Sequence, residues 1–186
     1  RHALLDPIEW TPDGRFKAAG GDLSQPLKKP AGEALTPHGM ALSDDFQATT
    51  LGPQWAFSDP APDEYRRVQV GGGVLRLQGK GSRPGDSSPL AVIAGDLAYQ
   101  FEVELEIDPG AQGGVLLYYN ERLYAGVGSN GESFVMHRYG LERPTTLAAS
   151  SKGGRLWLRM THNRHVVTIH SSTDGIQWRK YPVQME

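Results

Sequence analysis

Tyr99-Gln-Phe-Glu-Val-Glu-Leu-Glu-Ile107 alternates apolar and polar side chains without a break. That is the period of a strand with one face buried and one wet. Its odd positions (Tyr99, Phe101, Val103, Leu105, Ile107) are assigned to a core. Gly114-Val-Leu-Leu-Tyr-Tyr119 is apolar on both faces, which predicts a central strand covered on each side. Val74-Leu-Arg-Leu77 reads as a strand entered through a bend at Gly71-Gly72-Gly73. Asn130-Gly131 predicts a hairpin turn between residues 124–128 and 133–139. Asp174-Gly175 predicts another just before Trp178.

Residues 155–161 and 166–171 flank a two-residue loop placed at Asn163-Arg164. In that register Met160 pairs with Val167 and Leu158 with Ile169, and these form a core face together with Leu156. The other face then carries Trp157, Arg159 and Thr161 beside Val166, Thr168 and His170. A tryptophan and an arginine on a wet face call for a sugar platform, a domain interface or cover from a neighbouring loop. Trp55 and Trp178 are expected to be mainly buried and Trp157 partly exposed. No helical window exceeds two turns, so the fold class is all-β, an antiparallel sandwich.

The first 38 residues differ from the rest. Residues 2–10 read as a strand, Pro12-Asp13-Gly14 as a turn and residues 15–19 as a returning strand. Gly20, Gly21, Pro26, Pro30, Gly32 and Pro37 then punctuate an extended, semi-stiff linker. The hairpin carries Leu4, Leu5, Ile8, Trp10 and Phe16, too few apolar groups for a core of its own. It reads as the tail of a larger body, with residues 1–38 as hairpin plus linker and 39–186 as the sandwich.

Composition narrows the chemistry. The chain has 186 residues, 38% hydrophobic, with Gly 23 and Pro 13, enough length for a core and many turns between short strands. Lys+Arg 19 against Asp+Glu 21 leaves a net charge of -2, which gives no electrostatic footprint for nucleic acid or an anionic membrane. No stretch approaches the ~20 apolar residues of a membrane span. Without cysteine there are no disulfides, thiol nucleophiles or thiolate metal sites; the compartment stays open.

The candidate constellations each have a plain alternative. Glu102, Glu104 and Glu106 sit about 7 Å apart along one strand face, but glycosidase carboxylates flank a substrate from opposite sides. The plain reading is a solvated face that discourages edge pairing. His162 and His165 flank a turn and are expected to face each other, which makes no metal site without a third ligand. Ser82, Ser87 and Ser88 lack a nucleophile-elbow setting. Asp44-Asp45 offers hard oxygen ligands to a structural calcium ion; otherwise Asp44 caps a turn and Asp45 is exposed. No other cofactor is implied. Tyr118 and Trp157 are the candidate sugar-stacking rings, although aromatics at strand spacing are more often core.

Two segments carry a resemblance. Residues 1–14, ending in Ile8-Glu-Trp-Thr-Pro-Asp-Gly14, resemble the closing strand of the five-bladed catalytic propeller of glycoside hydrolase family 43, which includes β-xylosidases and α-L-arabinofuranosidases. Ser43-Asp-Asp-Phe46 with Leu51-Gly-Pro-Gln-Trp55 resembles the opening of that family's C-terminal concanavalin A-like sandwich. Gly72-Gly-Val-Leu-Arg-Leu77, residues 114–124 and Ser172-Thr-Asp-Gly-Ile-Gln-Trp178 continue it in order. The resemblance implies a jelly-roll accessory domain that packs on a propeller absent from this chain, where the catalytic carboxylates belong. It implies an inverting, exo-acting parent working on plant cell-wall oligosaccharides such as xylo-oligosaccharides or arabinoxylan. It also matches Arg1 to a position of the parent's sugar pocket. In relatives a loop with a phenylalanine walls that pocket; the corresponding residues 83–90 contain no aromatic, so the resemblance implies either that Leu90 does a similar walling job or that the loop does not reach. The expectation is a non-catalytic accessory domain. An autonomous carbohydrate-binding sandwich, with Trp157, Arg159, Tyr118 and His170 on its face, is the alternative, and a self-sufficient glycanase would need opposed carboxylates.

Overall fold

The computed structural model describes residues 7–20, 22, 41–148, 155–182 and 185, with the backbone alone for 144–148. The chain divides into two compact units, residues 1–39 and 40–186. In the first, β1 (Ile8–Trp10) and β2 (Phe16–Ala18) pair antiparallel, Ile8 opposite Ala18 and Trp10 opposite Phe16. The turn between them bends at Gly14, whose φ of 78° suits a residue without Cβ. Trp10 and Phe16 meet edge to face at 5.9 Å, yet remain 70% and 65% exposed. Arg1, the start of the expected first strand and nearly all of the linker lie outside the described residues.

The second unit continues with β3 (Trp55–Phe57), β4 (Val68–Gly71), β5 (Val74–Leu77), β6 (Leu90–Val92) and β7 (Ala98–Glu106). Then follow β8 (Gly113–Asn120), β9 (Leu123–Ser129), β10 (Ser133–Arg138) and β11 (Leu141–Ala148). β12 (Arg155–Asn163), β13 (Val166–Ser172) and β14 (Arg179–Lys180) complete it. Two four-stranded antiparallel sheets result, ordered β11-β10-β9-β8 and β14-β13-β12-β7. The pairs β3–β6 and β4–β5 stand as separate ribbons. Among the described residues the helical segments are short 3₁₀ turns at Glu64–Arg67 and Pro84–Asp86.

The core is what the two inner faces share. Val115, Val127, Phe134 and Met136 of one sheet meet Leu156, Leu158, Met160, Val167 and Ile169 of the other, with Tyr181 and Met185. On β12 the inward residues are the even positions, as the two-residue side-chain period requires. Met185 reaches the core through reciprocal backbone bonds with Val167, at 2.8 and 3.1 Å.

Three sequence expectations need amendment. The β12–β13 loop is Arg164-His165, so Asn163 opposes Val166 and Met160 opposes Ile169 rather than Val167. Arg164 takes a left-handed φ of 59° and donates its N–H to the Leu97 carbonyl at 2.7 Å, which centres the turn one residue later. The two-residue slip leaves both faces unchanged, but His162 now opposes Val167 and stacks on Tyr99 at 5.1 Å, while His165 stays exposed in the turn. β8 is an edge strand of its sheet, not a central one; on its outer face Tyr118 stacks on its cross-strand neighbour Tyr124. β7 is also an edge strand, so Phe101, Val103 and Leu105 are only partly buried against the core. Other expectations hold. Asn130 Oδ1 accepts the Glu132 and Ser133 N–H groups at the β9–β10 turn, and Gly71-Gly72-Gly73 turns β4 into β5.

Leu158 has 0% exposure, so Leu158→Ala is expected to cost about 2–5 kcal/mol in urea unfolding. Ile93→Ala, at 87% exposure, is expected to stay within about 0.5 kcal/mol of the parent. Equal losses would contradict the placement of the core.

Candidate functional site

Between β5 and β6 the chain makes a loop whose neck is closed by one guanidinium. Arg67 Nε donates to the Gln78 carbonyl on the outgoing arm at 2.9 Å. Its Nη1 donates to the Ser87 and Ser88 carbonyls on the returning arm, at 3.1 and 3.4 Å. The Phe57 ring lies 5.2 Å from the guanidinium carbon, a cation–π contact that fixes its plane. The counter-charge is Glu64, whose side chain is 2% exposed. It accepts from Arg67, from Lys80 Nζ at 2.8 Å and from the Ala61 N–H at 3.2 Å. The Lys80 hydrogen bond first, then those from Arg67 and Ala61, hold the Glu64 pKa down to about 2 against the opposing effect of burial. A carboxylate so paired stays ionised and has no proton to give, so it cannot act as a general acid.

The loop beyond the neck is equally fixed. Asp86 Oδ1 accepts from the Ser82 and Arg83 N–H groups, each at 2.9 Å, and Oδ2 from Ser82 Oγ at 3.1 Å. These bonds, Arg83 N–H foremost, place the Asp86 carboxyl below the usual carboxylate range. Ser88 Oγ donates to the Asp59 carbonyl at 3.0 Å. Gly85 lies directly against the Glu121 carbonyl and beside the Tyr124 ring, where any Cβ would collide. Leu90 sits past the loop in β6, opposite Phe57 and half-buried; residues 82 and 83 are exposed at the apex.

The second candidate surface is the outer face of the β14-β13-β12-β7 sheet. Every glutamate of the β7 row has an arginine across the strand. Arg159 Nε meets Glu102 at 2.8 Å, and Arg155 reaches Glu104 at 3.4 Å and Glu106 at 3.9 Å. Such exposed pairs contribute little each, and the three glutamates line one face of a single strand, not opposite walls of a groove. Arg159 also lies 3.7 Å under the Trp178 ring. Trp178 is therefore an outer-face residue; it and Trp55 are each more than half buried, as expected. Trp157 is half-buried too, with the Gly175 backbone resting on its indole; a Cβ there would stand 3.2 Å from Nε1. His170, opposite both Arg159 and Lys180, has its pKa lowered by burial and then by those two cations. Tyr118 belongs to the other sheet and points outward beside Tyr124. Trp157 and Tyr118 thus lie on opposite outer faces and make no single row.

Asp44 accepts three hydrogen bonds. Its Oδ1 accepts the Phe46 N–H at 2.9 Å, and its Oδ2 accepts Gln54 Nε2 at 2.9 Å and Trp55 Nε1 at 3.0 Å. Asp45 Oδ1 accepts the Gln47 N–H at 3.1 Å. Among the described residues no three His, Asp or Glu side chains gather as a metal ligand set.

The model of the β-xylosidase C-terminal concanavalin A-like domain matches residues 43–186. The chain belongs to this family. The fold of a family 43 glycoside hydrolase, BlXynB of Bacillus licheniformis in a mutant form, superposes with a TM-score of 0.74 at 22% identity, over 97% of this chain and 37% of that one. Xylan β-1,4-xylosidase of Bacillus halodurans gives 0.67 at 20% identity, over 97% and 38%. A family 43 protein of the Bacteroides ovatus xyloglucan locus gives 0.65 at 16%, over 94% and 37%. At these identities the likeness is one of fold, and this GH43 C-terminal domain chain spans a little over a third of each solved relative. No curated protein matches it by sequence.

The Glu64–Arg67–Lys80 cluster was not found by sequence reasoning. Glu64-Tyr-Arg-Arg67 reads as an ordinary charged turn, and the partners at Gln78, Lys80, Ser87 and Ser88 are too distant along the chain to signal it. Because the folded Glu64 pKa lies below its ordinary 4.5, the stability it contributes is complete above that value. It drains away as pH falls toward about 2. Glu64→Gln is expected to lower the urea midpoint at neutral pH, with the gap to the parent closing across that acid window. A gap indifferent to pH would show that the carboxylate's charge does not hold the neck.

Proposed function

We propose that this chain is the accessory part of a family 43 glycoside hydrolase, packing on a catalytic propeller and shaping the entrance to its sugar pocket. The parent's substrates in this reading are xylo-oligosaccharides or arabinoxylan side chains. The observation that carries it is the coverage: nearly all of this chain, its N-terminal hairpin included, superposes on little more than a third of each solved family 43 relative. Two features of the chain support it. The β1–β2 hairpin leaves Trp10 and Phe16 exposed, as a hairpin with a further body to pack on would. Glu64, Glu102, Glu104 and Asp44 are each engaged with a lysine, an arginine or a backbone amide.

The isolated chain is expected to release no nitrophenol from aryl xylosides or arabinofuranosides. Turnover by the pure chain, absent from a preparation denatured and removed by filtration, would overturn the accessory reading.

A further inference from the structure

The turn from β13 to β14 borders a cleft of about 340 Å³ at the end of the sandwich, and the function proposed above makes no use of it. Phe134, Leu156 and Tyr181 line it together with Asp174, Gln177 and Trp178. The first three belong to the core; Phe134 meets Tyr181 edge to face at 6.1 Å. Trp178 is fixed from one face by the Arg159 guanidinium at 3.7 Å, itself held by Glu102 at 2.8 Å. Trp178, so clamped, is also one of the residues that line the cleft.

The polar rim is pre-organised as well. Ser172 Oγ accepts the Asp174 and Gly175 N–H groups at 3.2 and 3.0 Å and donates to Asp174 Oδ1 at 2.8 Å. Asp174 Oδ1 also accepts the Ile176 and Gln177 N–H groups, both at 2.8 Å. Gly175, at a φ of 71°, seats the turn on Trp157. The Gln177 N–H foremost, with the Ile176 N–H and the Ser172 hydroxyl, keeps the Asp174 carboxyl below the usual range and so ionised. All of these bonds fall on Oδ1.

We propose that this cleft binds a neutral saccharide of one or two rings, stacked on Trp178 with its hydroxyls bonded to Asp174 and Gln177. An apolar floor and a clamped indole fit the C–H face of a sugar ring. A carboxylate acceptor beside an amide that both donates and accepts fits neighbouring hydroxyls, which do both. Asp174 disfavours an anionic ligand, and Arg179 and Lys180 on the same rim disfavour a cationic one. The volume lies at the small end of the ~300–1,000 Å³ range of small-molecule sites, which sets the limit on size. A rim and floor fixed before binding spare the ligand most of the ordering cost. The proposal holds whether or not the chain serves a catalytic propeller.

The test is an NMR titration of the isotope-labelled full chain with D-xylose, xylobiose and cellobiose. At least one of these sugars is expected to give saturable shifts concentrated on the Trp178 indole N–H and on the amides of residues 172–179. Gln177→Ala keeps every backbone bond of the turn and is expected to weaken binding by about fivefold, the weight of one hydrogen bond. Trp178→Ala is expected to abolish binding. Since it also frees Arg159, Gln177→Ala serves as the variant whose fold is not in question. Absence of saturable shifts with all three sugars overturns the proposal, as do shifts centred on Tyr118 or unaffected binding in Gln177→Ala.

Discussion

Residues 40–186 hang on the mutual burial of two sheet faces. Leu158, Ile169, Leu156 and Val127 are almost wholly removed from water there, and burial of this kind is the main favourable term in folding. Because side chains alternate along a strand, every inward residue fixes an outward neighbour. The inner faces are nearly free of polar groups, so the chemistry of the domain is confined to outer faces, turns and the β5–β6 loop. Trp157, Arg159, Tyr118 and the glutamate row stand where they do because Leu156, Leu158, Met160 and Val115 face the other way.

The outer faces explain themselves once their partners are known. Trp157 and Arg159 suggested a platform from sequence, yet one lies under Gly175 and the other lies between Glu102 and Trp178. Of the three explanations offered by the sequence, cover from a neighbouring loop is the one the geometry presents at Trp157. The same stretch, Ser172 to Trp178, then does two jobs: it shields one tryptophan and brings another to the rim of a cleft.

Much of this was legible in the chain and some was not, for physical reasons. Alternation over residues 99–107 identified β7, and Asn-Gly and Asp-Gly placed two turns, because those signals are local. The β12–β13 register was missed because Arg164 answers to the Leu97 carbonyl, far off in sequence. The edge position of β8 was missed because its residues are apolar on both faces, Tyr118 stacking on Tyr124, which imitates a central strand. Trp178 is covered as expected, but the cover on one face is a cation of the outer sheet face, a contact no local signal announces. Glu64 was overlooked since a buried acid is recognisable only beside its cations, and Lys80 is distant in sequence.

The neck of the β5–β6 loop has a consequence for how such a domain diversifies. Arg67 grips Gln78, Ser87 and Ser88 through main-chain oxygens, and every amino acid carries one. The anchor is thus blind to the identity of the residues it holds. What restricts the side chains beyond the neck is therefore not this anchor but the Asp86 clamp and the tight seat of Gly85. The neck closes the two arms by main chain alone, and the identity of the tip is decided within the tip.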